Sequence, residues 1–350
     1  AIMDVQEAER VLREGAADLV LLGRSLVADP FWPKKVLEGR EDDIVPCIRC
    51  NNCYHIATEH FNTCCTVNPR VYRENRVPLT LPRAQTARSV VVVGGGPAGL
   101  KAALTAAQRG HQVTLVEQSG ALGGLMIPAS VGAFKEDLRR YLSYLRRQVE
   151  KTQIHVMLHT RADRALLEHL HPDAVILAVG GRAVMPPVPG LGTSGAVQAV
   201  ALLNAGLETA GTRVTILGGG SIGCELALEL AALDRMVTVV ELRDKLAANG
   251  NELYRQDLML HLEQETRITI LTQTVCTGVT AQGCTVREKD GGTRVIPHDT
   301  FVIAAGLRAD ADAVEALYGV VPETYYVGDC KRAASITEAT TEAYFLGASL

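Results

Sequence analysis

The sequence predicts an α/β protein in which one strand–turn–helix unit is built twice, and two observations carry that reading. The first is the stretch Ser89–Gly99, S-V-V-V-V-G-G-G-P-A-G. Val90–Val93 is a short, wholly apolar β-branched run, as expected of a strand buried on both faces of a parallel sheet. Gly94, Gly96 and Gly99 then give G-x-G-x-x-G, and a helical run from Leu100 to Arg109 follows at once. Glycines in that position permit a tight turn and let backbone amides and the helix N-terminus approach a pyrophosphate. A further apolar run, Val113–Val116, ends in Glu117, an acid placed to accept hydrogen bonds from a ribose.

The second observation is that the device recurs. Val214–Leu217 leads into Gly218, Gly220 and Gly223, a helix follows, and Val237–Val240 ends in Glu241. In both copies the acid lies 23 positions after the first glycine, from 94 to 117 and from 218 to 241. Two unrelated glycine-rich turns would not reproduce strand, helix and acid at equal spacing. Two Rossmann-like dinucleotide sites in one chain imply a flavin and a nicotinamide cofactor facing each other.

Composition bounds the alternatives. At 350 residues and 47% hydrophobic, the chain is long enough for two or three packed domains. A net charge of -4 with 4% aromatics leaves no basic stripe with interleaved rings, which argues against nucleic acid. No apolar run approaches the roughly 18 residues that cross a bilayer, and the start carries no signal-peptide pattern. Of nine cysteines, five lie between Cys47 and Cys65, a crowding that fits a metal or cluster site better than a disulfide framework. A cytoplasmic protein is expected.

In chain order, Asp4-Val5-Gln6-Glu7 resembles a capping box, Val5, Ala8, Val11 and Leu12 mark one apolar helical face, and Gly15 ends the helix. Leu19–Leu22 follows as an apolar strand, then Gly23 and Arg24. One helix and one strand cannot bury a sheet alone, and of a (β/α)8 barrel of about 250 residues only the last unit fits here. Cys47, Cys50 and Cys53, at x2-x2 spacing, bring three thiolates onto one loop where amides can reach the sulfurs. That suits one face of a cubane iron–sulfur cluster with a fourth ligand from further along. Spacing alone also leaves open zinc, which more often uses two separated C-x2-C pairs, and free thiols.

Gly23–Pro33 (G-R-S-L-V-A-D-P-F-W-P), Glu38–Asn51 (E-G-R-E-D-D-I-V-P-C-I-R-C-N) and Cys65–Arg70 (C-T-V-N-P-R) together resemble the bacterial 2,4-dienoyl-CoA reductase and 2-enoate reductase family. Its members, among them trimethylamine dehydrogenase, join an old-yellow-enzyme-type barrel carrying FMN to a 4Fe-4S cluster and then to an FAD/NAD module. The resemblance covers essentially the whole chain. It implies a cluster on Cys47, Cys50, Cys53 and Cys65, the last supplied by C-x-V-N-P rather than by Cys64. It also implies that Gly23 and Arg24 contact the FMN phosphate, in a site that this chain leaves incomplete. The first seven barrel strands and the substrate-side acid/base residues are absent, so a C-terminal fragment is expected.

Val71 to Arg88, proline-containing and aperiodic, reads as a linker. Gly123-Gly124 either continues the flavin site, as the resemblance implies, or is a plain loop pair. Asp137–Leu145 is an amphipathic surface helix, and Asp173–Gly180 is a buried strand leaving the flavin domain. Cys224, Cys276 and Cys284 read as packing residues, and no C-x4-C follows the first helix, so disulfide-reductase chemistry is not supported. Phe301–Gly306 is the return strand, with Gly306 at the nicotinamide site. Asp329, in G-D, is either a hydrogen-bond acceptor for the flavin's ribityl chain or only an N-cap.

The expected order is thus a barrel remnant (1–46), a cluster segment (47–70), a linker (71–88) and an NAD(H) domain (206–302) inserted between FAD-domain parts (89–205 and 303–350). The resemblance implies the electron-input half of an NADH-dependent oxidoreductase. Hydride passes from NADH to FAD, and electrons pass through 4Fe-4S to FMN and a small α,β-unsaturated carbonyl substrate held by the missing barrel. The isolated chain is then competent only as a diaphorase, and a homo-oligomer is compatible with the family. Two alternatives remain: a trimethylamine-dehydrogenase-like chain whose first site only holds ADP, and a stand-alone electron-transfer module for a partner barrel.

Overall fold

The computed structural model describes residues 2–58, 63–248 and 250–350. The chain divides into two compact units: residues 1–127, 136–181 and 309–350 form the first, and residues 128–135 and 182–308 the second.

The first unit is organised on a five-stranded parallel sheet, ordered edge to edge Thr324–Tyr326, Ala174–Leu177, Ser89–Val93, Gln112–Val116, His155–Met157. The central strand carries the valine run, and Val90, Val91 and Val92 are all fully buried, as a sheet covered on both faces requires. The helix Pro97–Gln108 packs on it through small residues (Ala98, Gly99, Ala102, Ala103, Ala106), so neighbouring backbones approach closely. Against it packs the C-terminal helix Ile336–Ser349, where a Cβ at Gly347 would sit 3.0 Å from the Ala102 carbonyl oxygen. The amphipathic stretch forms a helix over Glu136–Glu150, its Tyr141, Leu142, Leu145 and Val149 buried and its charged residues outward.

The second unit repeats the plan with the order Val197–Gln198, Thr300–Ile303, Arg213–Leu217, Met236–Val240, Ile268–Leu271, again all parallel. A three-stranded antiparallel sheet, Val275–Val279, Gly283–Arg287 and Thr293–Pro297, completes it and buries Cys276 and Cys284. Val197–Gln198 joins this sheet as an edge strand beside Thr300–Ile303, and the unit takes in residues 128–135 as well as 182–308.

The N-terminal stretch departs from expectation in one respect. Asp4 caps the helix Val5–Arg13, accepting from the Glu7 amide at 2.7 Å, and Gly15 ends it with φ +66. Leu19–Leu22, however, is not a strand. Val20 and Leu22 pack on Val5, Ala8 and Trp32, while Leu19 and Leu21 stand 86% and 94% exposed. The alternation is that of an extended chain with one face covered, but among the described residues no neighbouring strand supplies the ladder that defines a sheet. Among the described residues, no helix is long and apolar enough to cross a membrane.

Candidate functional site

Each glycine motif forms the turn that its sequence predicts, and each glycine has a separate reason. Gly94 has φ +106, and a Cβ there would lie 2.3 Å from the Ala178 carbonyl oxygen. A Cβ at Gly99 would lie 1.8 Å from the Gly94 carbonyl oxygen, so only glycine lets helix and strand meet this closely. Gly96 is the N-cap of Pro97–Gln108 with no side-chain capping bond, which leaves the helix's first amides available to an anion. The second copy matches: Gly218 has φ +114 and a Cβ 2.4 Å from the Ala304 carbonyl oxygen, and a Cβ at Gly223 would lie 2.0 Å from that of Gly218. Gly220 caps Ser221–Ala232, again without a side-chain bond.

The two acids are held alike. Glu117 accepts from the Gly95 amide at 2.6 Å and from the Ser119 amide at 2.7 Å. Glu241 accepts from the Gly219 amide at 2.6 Å and from the Arg243 amide at 2.8 Å. A carboxylate offers about four acceptor sites, so each retains capacity for a ribose diol. These uncapped helix starts, glycine cradles and pre-oriented acids fit an adenine dinucleotide in each unit.

Around the first motif, Gly124 has φ +52, and a Cβ there would lie 2.9 Å from the Gly96 Cα, so the loop closes over the motif. Asp329 accepts from the Ala334 amide at 3.1 Å, and burial, with the Glu338 charge nearby, raises its carboxyl above the usual range. The N-cap of the next helix is Ser335, in a full capping box with Glu338, so Asp329 does not serve there. Gly306, beside the second motif, has φ +93 with open space around it.

Cys47, Cys50, Cys53 and Cys65 line one pocket together with Arg24 and Thr66, whereas Cys64 takes the Asn52 amide at 3.3 Å. Arg49 and Asn51, flanking Cys50, are both left-handed (φ 48 and 55), which turns successive amides inward. The Arg49 amide reaches the Cys47 sulfur, and the Val67 and Asn68 amides reach Cys65. Burial raises the Cys47 and Cys53 thiols and pushes Cys65 up to about 12, so an electropositive centre is needed to hold thiolates here. Among the described residues no three His, Cys, Asp or Glu side chains converge on a point as one bound ion requires. Arg24 donates to Asn51 Oδ1 at this pocket. Gly23, the other residue that the resemblance assigns to FMN, precedes the short helix Arg24–Ala28 as its N-cap.

Two groups of residues escaped the sequence. In the second unit Glu225 accepts from Lys135 at 2.6 Å and from the Tyr254 hydroxyl, with the Lys135 ammonium over the Phe134 and Tyr254 rings. An acid seven positions after Gly218, in an otherwise apolar helix start, was the available signal. Thr66 and Thr337, hydrogen-bonded at 2.7 Å beside Cys50, lie 271 positions apart and left no signal.

A strand–glycine turn–helix unit that opens uncapped amides toward a pyrophosphate, present twice, defines an oxidoreductase of the flavin- and nicotinamide-binding class. A family model described as pyridine nucleotide-disulphide oxidoreductase matches residues 88–343. The chain belongs to that family, whose cofactors are FAD and NAD(H).

Relatives extend the likeness through the cysteine segment. The chain is 34% identical over 346 residues to a bilirubin reductase of Mediterraneibacter gnavus, covering 98% of this chain and 53% of that one. It is 36% identical over 312 residues to an NADH oxidase of Thermoanaerobacter brockii, covering 87% and 47%. The solved structure of a 2-naphthoyl-CoA reductase bound to 2-naphthoyl-CoA superposes with a TM-score of 0.93 at 29% identity, over 99% of this chain and 52% of that one. These matches bear out the resemblance drawn from the motifs, and the chain spans about half the length of the curated relatives it matches.

Proposed function

We propose that this chain is the electron-input half of an NADH-dependent flavin and iron–sulfur oxidoreductase. The observation that carries the proposal is the doubled motif, two uncapped helix N-termini each with its own glycine cradle and carboxylate. FAD would lie on Gly94, Gly96, Gly99, Glu117, Gly124 and Asp329, and NAD(H) on Gly218, Gly220, Gly223, Glu241 and Gly306. A bound flavin supplies a hydride acceptor that releases electrons singly. The work of the chain's own residues is orientation: amides hold the pyrophosphates, the acids hold the ribose diols, and no side-chain acid or base is required.

Cys47, Cys50, Cys53 and Cys65 would hold a 4Fe-4S cluster. Supporting this, the four line one pocket and amides reach the sulfurs of Cys47 and Cys65. In the whole protein, electrons would continue to FMN in a (β/α)8 barrel and reduce an α,β-unsaturated carbonyl compound. Relatives named bilirubin reductase and cinnamate reductase favour an unsaturated substrate, and the exposed Leu19 and Leu21 favour strands beside them.

Iron and sulfide analysis after anaerobic reconstitution tests the ligand set. Cys65→Ser should lose most of the iron and Cys64→Ser should keep it. Equal retention in both would overturn the assignment.

A further inference from the structure

The cysteine pocket is joined to the C-terminal helix by a line of side chains, all within the first unit. The Cys50 sulfur lies 3.3 Å from the Thr66 hydroxyl. That hydroxyl is 2.7 Å from the Thr337 hydroxyl, and Asn52 Nδ2 donates to Thr337 Oγ1 at 3.1 Å. Thr66 is 4% exposed, and its carbonyl accepts from the Thr340 hydroxyl at 2.7 Å, so its backbone is anchored independently of its side chain. Thr337 lies two positions after the N-cap Ser335, whose hydroxyl accepts from the Thr337 amide at 3.1 Å, and three after Ala334, whose amide binds Asp329.

Chemistry fixes the direction of the line once Cys50 is a metal-bound thiolate. A thiolate only accepts, so Thr66 must donate its single proton to the sulfur. Its oxygen then accepts from Thr337, whose own proton is used, and Thr337 accepts from Asn52 in turn. The other Asn52 N–H is directed to Cys64 at 3.3 Å, so both of its donors are used. Each bond polarises the next, and the charge-assisted bond to sulfur lies at the buried end.

We propose that Thr66, Thr337 and Asn52 are positioning residues that set the reduction potential of the cluster through Cys50. The inference rests on the cluster reading above. One-electron reduction adds negative charge shared by the thiolates and moves no proton, and a donor aimed at a thiolate stabilises the reduced form more than the oxidised one. Hydrogen bonds to the sulfurs are among the determinants of such potentials. The chain therefore raises the potential, favouring acceptance of an electron.

The test is an EPR-monitored redox titration, with dithionite as reductant, of the reconstituted 350-residue chain. Thr66→Val keeps the shape and removes the donor. It should lower the reduction equilibrium constant roughly tenfold, about 59 mV for one electron. Thr66→Ser should stay within about twofold of the parent, and Thr337→Val should shift the same way by less. In D2O the parent's reduced cluster should show an exchangeable-proton coupling that Thr66→Val lacks. Equal potentials at full iron and sulfide content would overturn the proposal while leaving the cluster intact. If Thr66→Val fails to hold iron, Thr337→Val decides, and an unmoved potential there overturns it. A parent that takes up no iron or sulfide defeats the cluster reading, and this inference falls with it.

Discussion

The two nucleotide units differ in how far they close. From position 94 to 124 the first motif maps onto the second with a constant offset of 124 residues, 94 to 218 and 117 to 241. Structure follows it bond for bond. Gly94 and Gly218 donate to the Val116 and Val240 carbonyls at 2.8 and 2.9 Å, and Gly123 and Ala247 donate to the Gly95 and Gly219 carbonyls at 2.7 and 2.8 Å. The copies part at the end of this match, where Gly123-Gly124 is replaced by Ala247-Ala248. Gly124 lies against Gly96, whereas nothing among the described residues lies within 4 Å of a Cβ built on Gly220. Glu117 is buried at 7% exposure, and Glu241 is only half-buried. A closed cradle suits a resident cofactor and an open one suits a cofactor that exchanges on every turnover. Under the proposed function one local design would serve both, the two copies differing in sequence at Gly123-Gly124 and Ala247-Ala248.

Substitution at that divergence should have the larger effect. Gly124→Ala must accept a left-handed residue, at about 1–2 kcal/mol, as well as the close approach to Gly96. Retained flavin should fall well below one per chain after gel filtration, with the melting temperature of the chain little changed. The reciprocal Ala248→Gly, on an exposed position of the second unit, should move the KM for NADH by less than about threefold in dye reduction. Comparable damage from both would remove the distinction between the cradles.

A smaller effect concerns the choice between nicotinamide cofactors. Ser119 in the first unit corresponds to Arg243 in the second, and the amides of both bind the acid two positions earlier. A 2′-phosphate on the ribose would meet the Glu241 carboxylate. At an effective dielectric near 20, two unit charges about 4 Å apart repel by roughly 4 kcal/mol. Solvent at this half-buried acid screens part of it, leaving roughly 1–3 kcal/mol, or about tenfold to a hundredfold in favour of NADH. The exposed Arg243 works in the other direction, since an arginine can accommodate a 2′-phosphate. The kcat/KM ratio for NADH over NADPH should therefore collapse in Glu241→Ala. A parent that prefers NADPH, or a ratio that the substitution does not move, contradicts the charge argument.

What was legible in the sequence was local. Val90–Val93, the glycine spacing and the terminal acids each fix their own structure within about 25 positions, so both motifs could be read directly. Leu19–Leu22 could not, because a strand exists only with a partner and its apolar composition does not say whether one is present. The edge strand Val197–Gln198 is two residues long and owes its place to Thr300–Ile303, about a hundred positions away. That the next helix is capped by Ser335 and not by Asp329 could not be read, because both are polar residues ahead of the same apolar run. The contact of Thr66 with Thr337 comes from tertiary packing alone, and hydroxyl residues at such separation carry no pattern.

The central claim, a closed site for a resident flavin in one unit and an open site for a diffusible nicotinamide in the other, is tested most directly by what survives purification. The chain, incubated with FAD and NADH and passed through a desalting column, should keep about one FAD and essentially no nicotinamide, visible as flavin absorbance and in the nucleotides extracted by acid. Extraction of ADP without flavin, or retention of both cofactors in equal amount, would contradict it.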